Sequence, residues 1–268
     1  MKMQANVLDL DGKVKEKIDV PKVFLTVYRP DVIKRAVLVA QANRRQKYGS
    51  DPMAGQRTSA HYHGLTHLDP DQKMMGREMA RLPREHGDTS RFMRARLVPN
   101  TVGGRRAHPP KVERNWNKKI NKKERLLAIM SAIAGTAKKE LVAERNHKFD
   151  GELPLVVEDS IEKISKARDF INFMVKIGME RELARIKEKN PRSGKGKLRR
   201  GKFKKKVGPL IVVKSDEGIS KAARNTGVDV VKVNELNAEL LSPGAHGIRL
   251  TIWSKSAFEE MKSLFEVR

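Results

Sequence analysis

Residues 48–119 most constrain how this chain can fold, because no hydrophobic periodicity runs through them over any useful length. They show neither the period of 2 expected of a strand nor the period of 3.6 expected of a helix. The stretch TVGGRRAHPPKVER at 101–114 is typical: its glycines add backbone freedom and its prolines remove hydrogen-bond donors. A run of this length is normally either functional or disordered. Its aromatic residues and methionines favour order against some surface.

Positive charge is concentrated in two parts of the chain. The 268 residues include 57 Lys and Arg and 32 Asp and Glu, a formal net charge of +25. Residues 44–125 carry 20 basic and 8 acidic side chains, a net of +12, and residues 185–206 carry 12 and 1, a net of +11, which leaves +2 elsewhere. Self-repulsion opposes compaction of such segments unless a polyanion neutralises them. Nucleic acid is the first candidate partner and a membrane surface the second.

The composition excludes several classes of protein. The chain has no cysteine, so it forms no disulfide and has no thiolate metal site or cysteine nucleophile. Its first residues lack the apolar run of a secretory signal, and no stretch approaches the ~18 apolar residues of a membrane-spanning helix. We therefore expect a cytoplasmic protein with no membrane partner.

Outside the aperiodic run, the pattern alternates between strands and helices. Asp11-Gly12 predicts a hairpin with a tight primed turn. Asn121 with Glu124 predicts a capping-box start of a helix, and residues 160–177 read as one helix. Runs of Val and Ile between helices are typical of parallel strands buried on both faces. We predict an α/β fold: a mostly parallel sheet flanked by helices on both faces, with a long extended internal loop.

This interpretation predicts how the chain is divided. Residues 1–47 and 120–268 form a globular α/β domain, and residues 48–119 form an extended basic loop inserted in it. Residues 189–207 form a second basic loop within the domain.

Signatures of nucleotide-dependent catalysis are missing from the sequence. The glycines of SGKGKLRRG are out of register for a Rossmann loop, and no P-loop or G-x-S-x-G motif occurs. His61, His63 and His67, with His86 further on, lack the spacing of a helical zinc pair, although three imidazoles with a carboxylate could bind zinc. We therefore expect no cofactor, no metal and no small-molecule substrate.

Glu158 and Asp159 are paired carboxylates at the end of a strand, where active sites of α/β proteins often lie. A role in capping and in complementing the dipole of the helix at 160–177 is the favoured interpretation. Two other function classes stay open at this point. One is an RNA-processing or RNA-modifying enzyme with an α/β catalytic domain, and the other is a free DNA-compacting protein.

Five segments resemble one family, in the same order and over essentially the whole chain. They are GSDPMAGQRTSA, GREMARLPR, GGRRAHPPK, SGKGKLRRGKFKKKVGPLIVV, and AARNTGVDVV followed by LSPGAHGIRLTIWSKSAF. They are similar to the ribosomal protein L4 family, a universal large-subunit family, in its archaeal/eukaryotic form. The resemblance implies a structural protein without catalysis, whose α/β domain docks on rRNA. It also implies a long loop, here about 44–119, that threads through rRNA and helps line the nascent-peptide exit tunnel beside a second ribosomal protein.

The family pattern and the chemistry of the two loops together predict the rRNA-binding residues. Arginine offers a planar fork for phosphate, and aromatic rings stack on unpaired bases. The predicted rRNA contacts are Arg44, Arg45, Lys47, Tyr48, Arg57, Thr58, Ser59, Arg77, Arg81, Arg84, Arg91, Arg94, Arg96, Arg105, Arg106, His108, Lys111, Arg114, Trp116, Arg192, Lys195, Lys197, Arg199, Arg200, Lys202, Phe203, Lys204 and Lys205.

The resemblance also places a tunnel-facing region within 85–97, although HYHGLTHLDPDQKMM is longer than the family norm and the tip has fewer glycines. The tunnel-facing candidates are His86, Asp88, Arg91, Phe92 and Arg94. The implied partners are large-subunit rRNA, neighbouring large-subunit proteins and the nascent peptide, and the implied location is the large ribosomal subunit in the cytoplasm.

We predict that proteases nick residues 50–115 in RNA-free protein, because a segment with this charge and pattern lacks an interior of its own. Limited proteolysis with trypsin, followed by mass spectrometry of the fragments, measures the cut sites. Uniform resistance across 50–115 would contradict the prediction.

Overall fold

A six-stranded sheet with helices on both faces organises most of the chain, in a computed structural model that describes residues 3–62, 73–74, 76–85, 90 and 92–266. The chain forms two compact units, Met1–Asn43 with Lys118–Arg268, and Arg44–Asn117. The sheet and its helices belong to the first unit.

The strands and helices follow one another in the order that the Val- and Ile-rich runs predict. The strands are β1 (Gln4–Leu8), β2 (Val14–Asp19), β3 (Leu155–Val157), β4 (Asn190–Pro191), β5 (Phe203–Lys204), β6 (Leu210–Val213), β7 (Asp229–Lys232) and β8 (Thr251–Ser254). The α-helices are α1 (Pro30–Arg44), α2 (Lys122–Thr136), α3 (Lys139–Glu144), α4 (Ala167–Lys176), α5 (Glu180–Lys187), α6 (Gly196–Arg200), α7 (Ile219–Ala223), α8 (Ala238–Leu241) and α9 (Lys255–Glu266). Short 3-10 helices lie at Lys22–Leu25, Asp159–Lys163, Val233–Glu235 and Pro243–Ala245.

The sheet has the strand order β2-β1-β3-β8-β6-β7. Only the β1–β2 pair is antiparallel, and the other four neighbouring pairs are parallel. The predicted mostly parallel α/β sheet is therefore confirmed. None of the described helices is long and apolar enough to cross a membrane.

Apolar side chains on both faces of the central strands explain the lack of polar alternation in their sequences. Leu210 and Val212 of β6 pack with α1, α2 and α9 on one face, while Ile211 and Val213 pack with α4 and α7 on the other. A strand covered on both sides has no solvent-facing positions, so β6 reads as one continuous hydrophobic run.

Trp253 of β8 is the largest fully buried side chain of the first face. The Phe24 ring meets it edge to face, with 5.7 Å between ring centroids, and Phe24 also packs on Phe258 of α9 at 5.0 Å. Such aromatic contacts add roughly 0.5–1.5 kcal/mol beyond area burial. The 3-10 helix that carries Phe24 is thereby fastened to the centre of the sheet.

The predicted hairpin joins β1 and β2, but the predicted turn type is wrong. The Gly12 N–H donates to the Asp9 carbonyl at 2.9 Å, so the turn spans Asp9–Gly12. Gly12 has a φ of 77°, whereas Asp11 is not among the residues with positive φ. Both primed two-residue turns need positive φ at the first central residue, here Asp11, so Gly12 instead closes a longer connection.

The helix predicted over 160–177 is two elements rather than one. A 3-10 helix at Asp159–Lys163 leads through an extended segment into α4. The separate helix α5 after Gly178 was not predicted. Asn121 does precede α2, but its side chain makes no capping hydrogen bond, and Glu124 pairs with Arg35 at 2.9 Å instead of forming a capping box.

Deleting residues 60–100 should spare the fold of the first unit, because the cores on both faces of the sheet are built from residues outside that range. Amide hydrogen exchange of β6 and β8 measures this, and we expect the same protected amides as in the full chain. Trp253→Ala is the positive control, since such a core truncation costs about 3–5 kcal/mol. Loss of protection in the deletion variant would show that the inserted segment is needed for folding.

Candidate nucleic-acid interface

The inserted basic segment contains no helix and no extended strand within its described residues between 45 and 121. Turns, bends and isolated β-bridges take their place. The failure of hydrophobic periodicity therefore corresponds to irregular backbone in the part that is described. Three apolar side chains are nevertheless buried there, those of Ala60, Met74 and Met93.

Two runs of this segment lie side by side, residues 50–55 and residues 105–110. The Ser50 N–H donates to the Pro110 carbonyl at 3.0 Å. Gly55, with a φ of 77°, packs against the backbone of Arg105, where a Cβ on the glycine would come within 2.6 Å of the Arg105 Cα. A side chain at Gly55 would push the two runs apart. The stretch TVGGRRAHPPKVER is thus held partly by protein contacts.

The double glycine within that stretch allows a close approach of the Val98 backbone and the Arg96 side chain. A Cβ on Gly104 would overlap the Val98 carbonyl oxygen, and one on Gly103 would overlap the Arg96 guanidinium. That guanidinium donates from Nη1 to the Val102 carbonyl at 2.8 Å. The glycines therefore leave space for Arg96 to brace the turn.

Three predicted rRNA contacts are engaged by the protein itself. The Thr58 hydroxyl donates to the Glu85 carboxylate, and Arg96 Nε lies 3.5 Å from the same group. Arg84 donates from its two Nη atoms to backbone carbonyls at 2.7 and 2.8 Å. These side chains position the backbone of the segment. From the sequence alone, residues with this role look the same as residues that bind phosphate.

A cluster that we call the Trp116 stack joins the two ends of the segment. The rings of Tyr48 and Trp116 are stacked, with centroids 5.4 Å apart and planes at 23°. The guanidinium carbons of Arg45 and Arg114 lie 3.9 and 4.3 Å from the Trp116 ring centroid. Arg45 also donates to the Tyr48 hydroxyl at 3.2 Å. Trp116 is half-buried by these neighbours, whereas Tyr48 stays 48% exposed.

Most of the other predicted contacts lie at the surface. The exposed members are Arg44, Arg45, Lys47, Tyr48, Arg57, Ser59, Arg81, Phe92, Arg94, Arg105, Arg106, His108, Lys111, Arg114, Lys195, Lys197, Arg199, Arg200, Lys202, Phe203, Lys204 and Lys205. The half-buried members are Thr58, Arg77, Arg84, Arg96, Trp116 and Arg192. Three predictions fall outside the described residues: His86, Asp88 and Arg91.

The second basic loop is closed by a short ladder between β4 and β5. The Arg192 N–H extends it by donating to the Lys202 carbonyl at 2.9 Å. Phe203 is 40% exposed, with the ammonium groups of Lys189 and Lys202 over its ring. Beyond the ladder, α6 projects Leu198, which is 89% exposed among cations. The arrangement offers cations and one aromatic face on the same loop.

A buried ion cluster anchors the start of this loop to its end. Glu182 of α5 accepts from His147 Nδ1 at 2.6 Å, from the Lys148 N–H at 3.0 Å, and from Arg185 Nη2 at 2.6 Å. Arg185 Nη2 also donates to the Val207 carbonyl at 2.8 Å. Because Glu182 is fully buried, it holds Arg185 in the orientation that reaches across the loop. Linear spacing gives no sign of this cluster, because His147 and Lys148 lie 35 and 34 residues from Glu182 in sequence.

Arg249 fastens the chain just past the loop. It is almost completely buried, and it donates from Nη2 to the Asp229 carboxylate at 2.6 Å and to the Pro209 carbonyl at 3.1 Å. Its Nε donates to the Gly208 carbonyl. A planar guanidinium can donate to three acceptors at once, so this residue joins Asp229 of β7 to Gly208 and Pro209, which directly precede β6.

The two titratable members of the cluster have shifted pKa values in the same direction. Burial alone would raise the pKa of Glu182, but hydrogen bonds from Arg185, His147 and the Lys148 N–H outweigh it and hold that pKa at about 2. Burial lowers the pKa of His147, although the Glu182 carboxylate partly opposes this. The folded protein therefore favours ionised Glu182 beside neutral His147.

Glu158 and Asp159 do not act as a catalytic pair. Glu158 forms an ion pair with Lys15 at 2.7 Å, and Asp159 accepts from the Ser256 N–H at 2.7 Å. The expected capping role is thus real for Asp159, but the helix it caps is α9. The helix predicted to start at 160 is capped by neither residue.

The carboxylate at the sheet edge that sequence reasoning missed is Glu162, which is buried. It accepts from the Lys214 N–H at 2.9 Å and from the hydroxyls of Ser215 and Ser254, each at 2.8 Å. These donors follow or end β6 and β8, where parallel sheets commonly hold ligands. Here a side chain of the protein occupies that position and satisfies the donors.

No group of three metal-binding side chains is found among the residues that the structure describes. Of the histidines considered for zinc, only His61 is described; His63, His67 and His86 lie outside the described residues.

Comparison with known proteins gives a consistent result. The family described as Ribosomal protein L4/L1 family matches residues 18–264. A protein of Archaeoglobus fulgidus named large ribosomal subunit protein uL4 is 48% identical over 259 residues, covering 96% of this chain and 97% of that protein. Proteins of the same name from Methanosphaera stadtmanae and Halobacterium salinarum are 46% and 44% identical, each over 97% of this chain. The matched regions span 97% and 99% of those two proteins, respectively.

The Glu182 cluster should make stability depend on pH. A pKa lowered from 4.5 to about 2 stabilises the fold above the unfolded value, and this is lost as pH falls from about 4.5 towards 2. The loss amounts to about 3 kcal/mol. Neutral His147 adds a loss in the same direction as pH falls below 6.5. Urea unfolding at a series of pH values measures both.

Glu182→Gln should be less stable than the parent at pH 7 and should flatten the decline between pH 4.5 and 2. Exposed Glu180→Gln is the matched control and should keep the parental slope. Equal slopes for Glu182→Gln and the parent would refute the assignment.

Proposed function

Because the chain belongs to the ribosomal protein L4/L1 family, we propose that it binds large-subunit rRNA through its two basic segments and helps line the nascent-peptide exit tunnel. It is a structural constituent of the large ribosomal subunit in the cytoplasm and is not an enzyme. The family assignment overturns the alternative of an RNA-processing or RNA-modifying enzyme and removes the case for a free DNA-compacting protein.

The observation that carries rRNA binding is the segregation of charge. The two basic segments hold net charges of +12 and +11 out of +25, and most of their cations are exposed. Arginines in such a segment bind phosphate bidentately, and each neutralised phosphate releases counterions. A polyanion that contacts both segments would relieve the repulsion within each of them.

We further propose that residues 48–119 form the loop that reaches the tunnel and that residues 189–207 form a second rRNA-binding loop. The separation of Arg44–Asn117 from the rest of the chain supports the first, and the closed β4–β5 ladder supports the second. Extended out and back, with about half of its residues in each arm, the first loop could reach at most roughly 120 Å, at ~3.3 Å per residue. That distance suffices to penetrate deep into folded RNA.

The tunnel-facing residues remain a proposal from the family resemblance. Of the five candidates, Phe92 and Arg94 are described and exposed. An exposed ring beside a cation suits a wall that both RNA and a passing peptide contact. Neighbouring large-subunit proteins and the nascent peptide are the proposed protein partners.

Binding of the full-length protein to transcribed large-subunit rRNA should weaken steeply with salt. We expect a loss of at least ~10³-fold between 50 and 200 mM salt, as for a protein that neutralises six or more phosphates. Filter binding across a salt series measures the slope of log K against log salt. In cell extract at low salt, the protein should sediment with large subunits.

Arg105→Gln and Arg106→Gln should each make that slope shallower by about 0.7–0.9, since each removes one phosphate contact. Lys34→Gln, an exposed cation on α1 outside both basic segments, is the matched control and should leave the slope unchanged. A protein that sediments free of large subunits at low salt would end the proposal.

A further inference from the structure

We infer that Tyr48 presents one face of its ring to an unpaired nucleobase, and that Trp116, Arg45 and Arg114 hold it in place from within the protein. This inference rests on the proposed rRNA binding and adds to it a defined base-stacking position. It also assigns different roles to Tyr48 and Trp116, which the sequence analysis predicts equally as rRNA contacts.

Trp116 is already occupied by protein groups. Tyr48 stacks on it at 5.4 Å, and the guanidinium carbons of Arg45 and Arg114 lie 3.9 and 4.3 Å from its ring centroid. A half-buried ring with three planar neighbours has no free face on which a base could stack. Trp116 is therefore a positioning residue.

Tyr48 remains available in the same cluster. Its side chain is 48% exposed, and its hydroxyl accepts a hydrogen bond from Arg45 at 3.2 Å. One ring face is backed by Trp116, the Arg45 guanidinium carbon lies 5.2 Å from the ring centroid, and the hydroxyl contact restrains rotation of the ring. Holding an exposed ring in one orientation lowers the entropy cost of binding a flat partner.

The surroundings favour RNA over an apolar protein surface as that partner. Arg44, Arg45 and Lys47 lie within four residues of Tyr48 in a segment of net charge +12. An aromatic ring among cations suits a base with its flanking phosphates, because the ring takes the base and the cations take the backbone. An uncharged apolar partner would add no negative charge to this segment of net charge +12.

The test compares full-length variants for affinity to transcribed large-subunit rRNA at two salt concentrations. Tyr48→Leu should weaken binding roughly tenfold, because a base–aromatic stack is lost. The salt slope should stay unchanged, since no phosphate contact is removed. Tyr48→Phe keeps the ring and should bind within about twofold of the parent. Equal affinity of Tyr48→Leu and the parent would overturn the inference.

A double-mutant cycle tests the positioning role of Trp116. Trp116→Leu should weaken binding in the parent but have little further effect when Tyr48 is already leucine, because both changes disable the same stack. An equal loss in both backgrounds would mean that Trp116 contacts RNA itself, and the division of roles would be wrong. Emission from Trp253, buried in the sheet, checks that the variants are folded.

Ultraviolet crosslinking of the unmodified protein to the same rRNA gives a second measurement. Mass spectrometry should find a nucleotide attached to the peptide that contains Tyr48, and its absence there would count against the inference. Failure of the proposed function looks different, since the parent protein itself would then show no salt-dependent affinity for rRNA. If the parent binds rRNA and Tyr48→Leu binds it equally well, the base-stacking role of Tyr48 is wrong but the proposed rRNA binding stands.

Discussion

Electrostatic repulsion within two short segments is the constraint on which the rest of this protein depends. With net charges of +12 and +11 there and only +2 elsewhere, repulsion opposes compaction of the two segments, while the remaining chain folds by ordinary hydrophobic burial. The sheet, with both faces covered, accordingly draws its core from outside the inserted segment. The hydrophobic core and the excess charge thus belong to different parts of the chain.

Attachment of the basic segments uses groups that tolerate positive charge. Glu182 fixes Arg185 so that it reaches the Val207 carbonyl, and Arg249 serves the carbonyls at the far end of the second loop. Within the inserted segment, Glu85 and the Trp116 stack hold arginine side chains in place. Buried carboxylates, backbone carbonyls and aromatic faces each attract a guanidinium without adding a competing cation. Some arginines are therefore structural, and they are indistinguishable in sequence from those left for RNA.

Much of this could be predicted from the sequence, and the limits have physical causes. Continuous Val, Ile and Leu runs identify β3 and β6 because burial on both faces removes polar alternation. The turn at Gly12 and the break before α4 depend on which backbone groups find partners, which hydrophobic spacing does not encode. Glu162 and Glu182 were missed because some of their donors, among them Ser254 and His147, lie far from them in sequence. The exposed cations were predicted by composition and family resemblance, but Thr58, Arg84 and Arg96 turned inward.

The position of β8 has a consequence for how the protein is made. This strand lies in the middle of the sheet, between β3 and β6, yet it follows both basic segments in chain order. A chain synthesised from its amino end therefore exposes every one of those cations before its central strand exists. During that interval nothing shields them from the first anionic polymer they meet, so assembly with the right one competes against premature capture during translation.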